Sequence, residues 1–136
     1  MKFTVKKFII LILIILFIIV GFNIALKRLY KLNYKPIVEK YSKEFGIEKE
    51  LIFSIIKNES NFNKDIISNK DAIGLMQILE STKEDVEKIL GLENLDLYNE
   101  EDNILVGTKY ISILKQKYNN TELAIAAYNA GPRKCR

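Results

Sequence analysis

Two regimes of hydrophobic patterning divide the chain. From Phe8 to Phe22 every position but Gly21 is apolar, and tolerating Asn23 extends the run to Leu26, 19 residues in all. That length suits a membrane-spanning helix at the short end of the usual range and is long for a signal-peptide core. From Tyr34 onward the pattern changes to short amphipathic segments with clear punctuation. Pro36 suits a first helical position, Ile37, Tyr41 and Phe45 recur at intervals of four, and Gly46 can take a left-handed stop. A second helix is predicted over 48–59. Asn61 to Ala72, rich in Asn, Asp, Ser and Lys, lacks helical periodicity and reads as a loop. The patch Leu75-Met76-Gln77-Ile78-Leu79 then precedes a capping box of Ser81 with Glu84, the apolar positions Val86, Ile89 and Leu90, and a stop at Gly91. Asn99 with Asp102 opens a helix whose apolar face includes Ile104, Tyr110, Ile111, Leu114 and Tyr118. Thr121 caps a last helix that ends at Asn129 or Ala130, before Gly131-Pro132. No segment alternates long enough for a strand. The expectation is an all-α domain of about five short helices behind an N-terminal transmembrane helix, without internal repeats.

Charge sharpens this division. The formal charge of the chain is +4, but 36–132 holds 11 lysines against 17 acidic residues, a balance of −6. The basic excess lies at the ends: Lys2, Lys6 and Lys7 before the apolar run, Lys27, Arg28, Lys31 and Lys35 after it, and Arg133, Lys134 and Arg136 at the close. A pI near 9.0 thus describes membrane-flanking arms and a tail, and argues against a nucleic-acid-binding face. The chain is read as a short basic N-terminus 1–7, a signal-anchor helix 8–26, a basic juxtamembrane linker 27–35 and a domain 36–136. Ile24-Ala25-Leu26-Lys27 offers no convincing small-x-small cleavage site, which favours an uncleaved anchor over a cleaved signal. Basic residues flank both ends of the run, so the positive-inside rule leaves its orientation open. Without histidine, zinc-hydrolase and His-dependent triad chemistry are excluded, and the lone Cys135 has no internal disulfide partner.

One carboxylate is placed unusually. Counting back in fours from Glu59 reaches Ile55 and Leu51, so in a helix the acid shares a face with two large apolar residues. At a helix end it can be partly withheld from water while still facing a cleft. Desolvation raises a carboxyl pKa, as a general acid near neutral pH requires. Position alone favours the plainer reading, a solvated glutamate at a frayed helix end.

The motifs around and beyond Glu59 resemble a known family. Glu59-Ser60 followed by Asn61-Phe62 looks like the catalytic Glu-Ser motif of lytic transglycosylases of the soluble-lytic-transglycosylase (SLT) type, whose fold is similar to goose-type lysozyme. Ser68, Ala72 and Gly74-Leu75-Met76-Gln77 match the family's second motif in order and spacing. Asn103, Gly107 and Tyr110 fit its Asn-x-x-x-Gly-x-x-Tyr helix, and Ala126-Ala127-Tyr128-Asn129-Ala130-Gly131-Pro132 fits its Ala-Tyr-Asn-Ala-Gly motif. Four motifs in order make a specific signal.

The resemblance implies a lysozyme-like helical domain that cleaves peptidoglycan glycan strands with one carboxylate and no metal or other cofactor. Glycosidic cleavage usually takes two carboxylates. In this family a single glutamate, here Glu59, protonates the leaving oxygen, the N-acetyl group of the muramic acid assists at the anomeric carbon, and the same glutamate then deprotonates the sugar's 6-hydroxyl, closing a 1,6-anhydro ring without water. By resemblance Tyr128 forms the floor of the site. Gly74 would let backbone approach the sugar, while Met76 and Gln77 would offer an apolar contact and an amide. Ser68 would bond to substrate or to Glu59. Ser60, Tyr110 and Asn129 are assigned supporting, structural roles.

Two departures stand out. Asp71 occupies a position where the family usually has glycine. The chain also stops at Arg133-Lys134-Cys135-Arg136, where relatives continue, so the domain is expected to be C-terminally shortened. Three readings follow: a membrane-anchored lytic transglycosylase with its domain on the extracytoplasmic side, a hydrolytic muramidase on the same fold, or a non-catalytic wall-binding or scaffold protein. The first is favoured. Its expected partners are peptidoglycan glycan strands and, through 8–26, the cytoplasmic membrane, with cell-wall protein partners left open and no nucleic acid.

Overall fold

The computed structural model describes residues 2–30 and 34–131, which fall into two compact units divided at Lys35 and Pro36. Residues 31–33 of the basic linker and 132–136, which include Pro132, Cys135 and the basic tail, lie outside the described residues. The first unit is a single helix, α1 (Lys2–Tyr30). Within it, the 19 residues Lys6–Ile24 are long and apolar enough to cross a membrane.

The second unit holds α2 (Lys35–Phe45), α3 (Lys49–Ser60), α4 (Glu80–Leu90), α5 (Glu100–Tyr118) and α6 (Thr121–Ala130). No named strand occurs among the described residues; isolated bridges pair Ile73 with Ile67 and with Ile78. The all-helical expectation therefore holds. α5 is the centre of the unit. Its six consecutive residues from Asn103 to Thr108 are all buried, so over nearly two turns it has no solvent face. α4 and α6 pack against it, and the core sets Val38, Ile52, Ile56, Leu75 and Val86 from the surrounding elements beside Ile104 and Ile111 of α5. Three surface ion pairs reach α5 from elsewhere: Lys40 with Glu101, Lys64 with Glu100, and Glu48 with Lys115. All are too exposed to contribute much stability.

Helix boundaries follow local chemistry, with two corrections. Asn99 opens α5 as expected, its side chain accepting from the N–H groups of Glu101 and Asp102. The capping box of Ser81 with Glu84 does not form. α4 starts at Glu80, after extended backbone at Leu79 that makes no side-chain cap, because Ile78 is tied to Ile73 and the chain turns helical as soon as that tie ends. Asn120, not Thr121, caps α6: its Oδ1 accepts from Leu123 N–H at 2.8 Å, which makes Thr121 the first helical residue. Tyr118, expected on the apolar face of α5, is 39% exposed.

Among the described residues Thr108 Oγ1 is the buried side-chain polar atom that lacks a hydrogen-bond partner. An unmet buried hydroxyl costs about 1–3 kcal/mol. Thr108→Val keeps the shape and removes that cost, so it should raise stability by about 1 kcal/mol and the Tm by roughly 4–8 °C for a domain this size. A thermal melt with an unchanged or lower Tm would show that the hydroxyl is satisfied.

Candidate active site

Glu59 lies in the last turn of α3, half-buried, one helical turn beyond the buried Ile55. Burial raises its pKa above the ordinary carboxyl value and is the one cause of that shift among the described residues. The helix ends immediately afterwards. Ser60 is buried and its hydroxyl donates to Ile56 C=O at 3.1 Å, while Asn61 and Phe62 both turn left-handed, at φ 49° and 63°. For phenylalanine this conformation costs about 1–2 kcal/mol. It is held by packing, since Phe62 is buried with its ring 6.5 Å from that of Phe53. The strained turn swings the chain away just past Glu59 and leaves the carboxyl at an open helix end.

The loop that follows carries the second motif. Ser68 Oγ accepts from the N–H groups of Lys70 and Ala72, at 3.2 and 3.1 Å, and Asp71 N–H donates to Ser68 C=O at 3.0 Å. Ser68 thus organises a tight turn. Asp71 sits in it at φ 59°, which explains why glycine suits this position; aspartate is among the residues that tolerate the left-handed region best. Beyond it Ile73 and Ile78 exchange backbone hydrogen bonds of 2.9 and 3.0 Å around a tip of four residues, Gly74 to Gln77. Gln77, at φ 50°, donates through its Nε2 to Ile66 C=O and Gly74 C=O. Its NH2 group braces the loop.

The tip is held from two sides. Met76 N–H donates to Asn103 Oδ1 at 2.9 Å, and Asn103 Nδ2 donates to Ile73 C=O and Leu97 C=O at 3.0 and 2.8 Å. Tyr128 in α6 donates its hydroxyl proton to Met76 C=O at 2.8 Å. The Met76 side chain is fully buried and lies against Gly107, where an added Cβ would collide with its thioether. Met76 therefore faces the core and offers the site its backbone. Gly74 is buried at φ +79°, its bare Cα backed by the Asn103 carboxamide and Leu97 C=O. The close approach it permits is to protein.

Tyr128 is buried, and its pKa is pushed well above the ordinary tyrosine value, first by burial and then by the negative charge of Glu59 and by Tyr110. The last two couplings bring Glu59, Tyr128 and Tyr110 into one electrostatic neighbourhood. The Tyr110 and Tyr128 rings pack at 5.4 Å, tilted by 47°. Asn129 is exposed in the last turn of α6, where Gly131 N–H closes the helix on Tyr128 C=O. A shallow depression is lined by Gln77, Ile78, Tyr110, Tyr128 and Gly131 among others. It meets a larger apolar groove of about 610 Å³ between α5 and α6 at Tyr110 and Gly131. Glu59 is not among the residues that line the larger groove. Among the described residues no group of acidic, histidine or cysteine side chains could hold a metal.

Asn103 is the residue whose weight sequence reasoning understated. It fits the third motif, but an asparagine in a helix pattern does not disclose that it makes three hydrogen bonds, two of them buried, to backbone of two other segments.

A family model described as the transglycosylase SLT domain matches residues 36–136. The chain belongs to this family. It is 42% identical over 118 residues to the membrane-bound lytic murein transglycosylase C of Pectobacterium atrosepticum, a match covering 77% of this chain and 32% of that protein. Among solved structures it resembles an inactive mutant of the lytic transglycosylase Slt from Pseudomonas aeruginosa, with TM-score 0.71 and 31% identity over 76% of this chain and 17% of that one. The 70 kDa soluble lytic transglycosylase of Escherichia coli gives TM-score 0.70 and 31% identity, covering 76% and 18%. The chain spans about a third of the length of the curated relative and under a fifth of these two structures. The SLT domain assignment accounts for the order of the motifs and for their convergence on the end of α3 and the tip of the loop.

Proposed function

We propose that the protein is a membrane-anchored lytic transglycosylase that cleaves the β-1,4 bond between N-acetylmuramic acid and N-acetylglucosamine in peptidoglycan and leaves 1,6-anhydro ends. The observation that carries the reading is Glu59: a half-buried carboxyl at an open helix end, with a pKa raised by burial alone, in a domain of the SLT family. A raised pKa makes the proton more readily available as pH rises towards neutral. In the proposed cycle Glu59 gives that proton to the glycosidic oxygen as the bond from it to the anomeric carbon breaks, while the acetamido oxygen of the muramic acid closes on that carbon. The ionised Glu59 then takes the proton of the sugar's 6-hydroxyl as its oxygen replaces the acetamido group. No water is consumed, and Glu59 ends as it began. Ser68, Gly74, Gln77 and the backbone of Met76 shape the wall on which the sugar is held, and Tyr128 lies beneath it. Ser60, Tyr110 and Asn129 support that frame.

The anchor is α1, whose span Lys6–Ile24 suits a bilayer; relatives are named as membrane-bound. Peptidoglycan as the substrate places the domain on the extracytoplasmic side. Mass spectrometry of products from purified wall tests the chemistry. Anhydro-muramyl fragments are expected; products heavier by one water would assign a hydrolytic muramidase instead, and glycan binding without turnover a scaffold.

A further inference from the structure

Shortly after Glu59 comes a left-handed phenylalanine, Phe62, to which the proposed chemistry gives no part. The carbonyls that a helix end leaves open are met here by the chain folding back. Asn61 N–H donates to Lys57 C=O at 3.1 Å and Phe62 N–H to Ile56 C=O at 3.5 Å. Ser60 Oγ also donates to Ile56 C=O, at 3.1 Å. Each of these bonds closes a ring of chain that contains Glu59. The fold-back carries Asn61 and Phe62 through left-handed backbone, at φ 49° and 63°. Asparagine enters that region readily and phenylalanine does not, so the conformation persists only where its surroundings over-determine it. Those surroundings are aromatic. Phe62 is 6% exposed, and its ring lies 6.5 Å from that of Phe53, tilted by 47°, within the range of favourable aromatic pairs. Phe53 stands in α3 about two turns before its end, so the pair clasps the chain on either side of Glu59.

We propose that Phe62 is a positioning residue for Glu59: its ring, clasped to Phe53, holds a left-handed turn that its own side chain disfavours, and the bonds made by that turn keep the last turn of α3 wound with the Glu59 carboxyl at the mouth of the site. Without the clasp the strain unwinds the helix end and carries Glu59 off with it. Alanine and glycine separate the two effects of the side chain. Alanine loses the clasp and keeps the strain. Glycine loses both, because a positive φ costs it nothing. A residue that merely filled the core would move the melting point and leave the helix end of the folded protein as it is. The catalytic consequence rests on the proposed function; the winding of the helix end does not.

The test uses the full chain in detergent micelles. It reads amide hydrogen exchange at Glu59, Ser60 and Asn61, and a 13C titration of the Glu59 carboxyl assigned by its loss in Glu59→Gln. Phe62→Ala and Phe53→Ala should each speed exchange at these amides by roughly tenfold or more, measured against Ile52 in the middle of α3. Both should also move the Glu59 midpoint back towards the ordinary carboxyl value, because burial is what raises it. Lys57 is engaged by Asn61 Oδ1, and Tyr128 of α6, packed on Tyr110, is the titratable neighbour coupled to Glu59; no variant alters them. Phe62→Gly should recover most of both effects, and adding Phe53→Ala to it should change little. Wild-type exchange and midpoint in Phe62→Ala overturn the proposal, as does a Phe62→Gly protein that behaves like Phe62→Ala. Should the alanine variants fail to fold, the wild type decides: exchange at Ser60 and Asn61 must lie within about tenfold of Ile56, and a roughly hundredfold faster rate would show a frayed end that no clasp holds. Where glycan is cleaved, Phe62→Ala should lower kcat by roughly 10- to 100-fold with KM within about twofold, and Phe62→Gly should restore most of it. Exchange and midpoint that respond as expected in a protein that cleaves nothing would defeat the proposed function and leave the positioning role standing; cleavage with an unresponsive helix end would do the reverse.

Discussion

Glu59→Gln is expected to lower glycan cleavage by roughly 10³-fold or more, at the upper end of what a single positioned acid or base supplies. The large figure follows from the proposed cycle, in which one residue donates and then accepts the same proton. No second carboxylate stands ready. Asp65, Asp71 and Glu80 are exposed, and Asp102 accepts Asp96 N–H at 2.9 Å, where it secures the segment leading into α5. Glutamine has nearly the same shape and cannot exchange a proton near neutral pH. The fold should persist and become more stable. Because the folded-state pKa of Glu59 is raised, the folded protein binds more protons than the unfolded chain between the ordinary carboxyl value and the raised one. Stability contributed by this group is therefore fully present below that window and lost as pH rises through it. The variant lacks the titration and should melt higher than wild type at neutral pH, with less change between acidic and neutral buffers. Turnover within tenfold of wild type would remove Glu59 from the mechanism, and a lower melting point at neutral pH would show that the carboxylate is stabilised in a way its burial does not suggest.

Gly74→Ala should cost about 3 kcal/mol, from strain and overpacking acting together. At φ +79° an L side chain is strained whatever the space, and here there is none: an added Cβ would collide with Asn103 Nδ2 and lie 3.0 Å from both Asn103 Cγ and Leu97 C=O. Relief would require Asn103 to release Met76 and two backbone carbonyls at once. Against a total stability of roughly 5–15 kcal/mol such a loss is large, and the Tm should fall by more than about 10 °C. Gly91→Ala separates the two causes. That glycine is also left-handed, at φ +65°, but nothing lies within 4 Å of an added Cβ, so only the backbone cost of about 1 kcal/mol applies. Equal melting points for the two variants would show that the Asn103 contact is not tight. A Gly74→Ala protein that melts like wild type but no longer cleaves glycan would return Gly74 to the role of admitting the sugar.

Most helix positions were legible because local chemistry decides them. Four-residue spacing of Ile37, Tyr41 and Phe45, the Asn99 cap and the stops at Gly46 and Gly91 depend on neighbours along the chain, and the structure keeps them. The Ser81 box failed for the opposite reason: a bridge between Ile73 and Ile78, formed by residues with no capping signal, determined where α4 could begin. Asn120 and Thr121 are both good caps, and only the path out of α5 chose between them. Glu59 was legible as a position, but only the motifs downstream, by their resemblance, gave it a function, since a carboxylate beside Ile55 is more at home at a solvated helix end.

Sequence by itself determined the all-α class, the apolar helix ahead of the domain, the solitary acid and the order of its motifs, because periodicity, capping and spacing are properties of chain neighbours. What only the tertiary structure decided is how those motifs meet. Asn103 closes on Met76 from 27 residues away and Tyr128 from 52, and α5 is buried all round from Asn103 to Thr108, beyond the apolar face its spacing shows. Distant segments converge when a shared core is worth more than the separate solvation of each, and a buried amide then takes whichever backbone groups the packing leaves unpaired. That competition assigned Met76 and Gly74 to the frame of the site and left Glu59 at its opening.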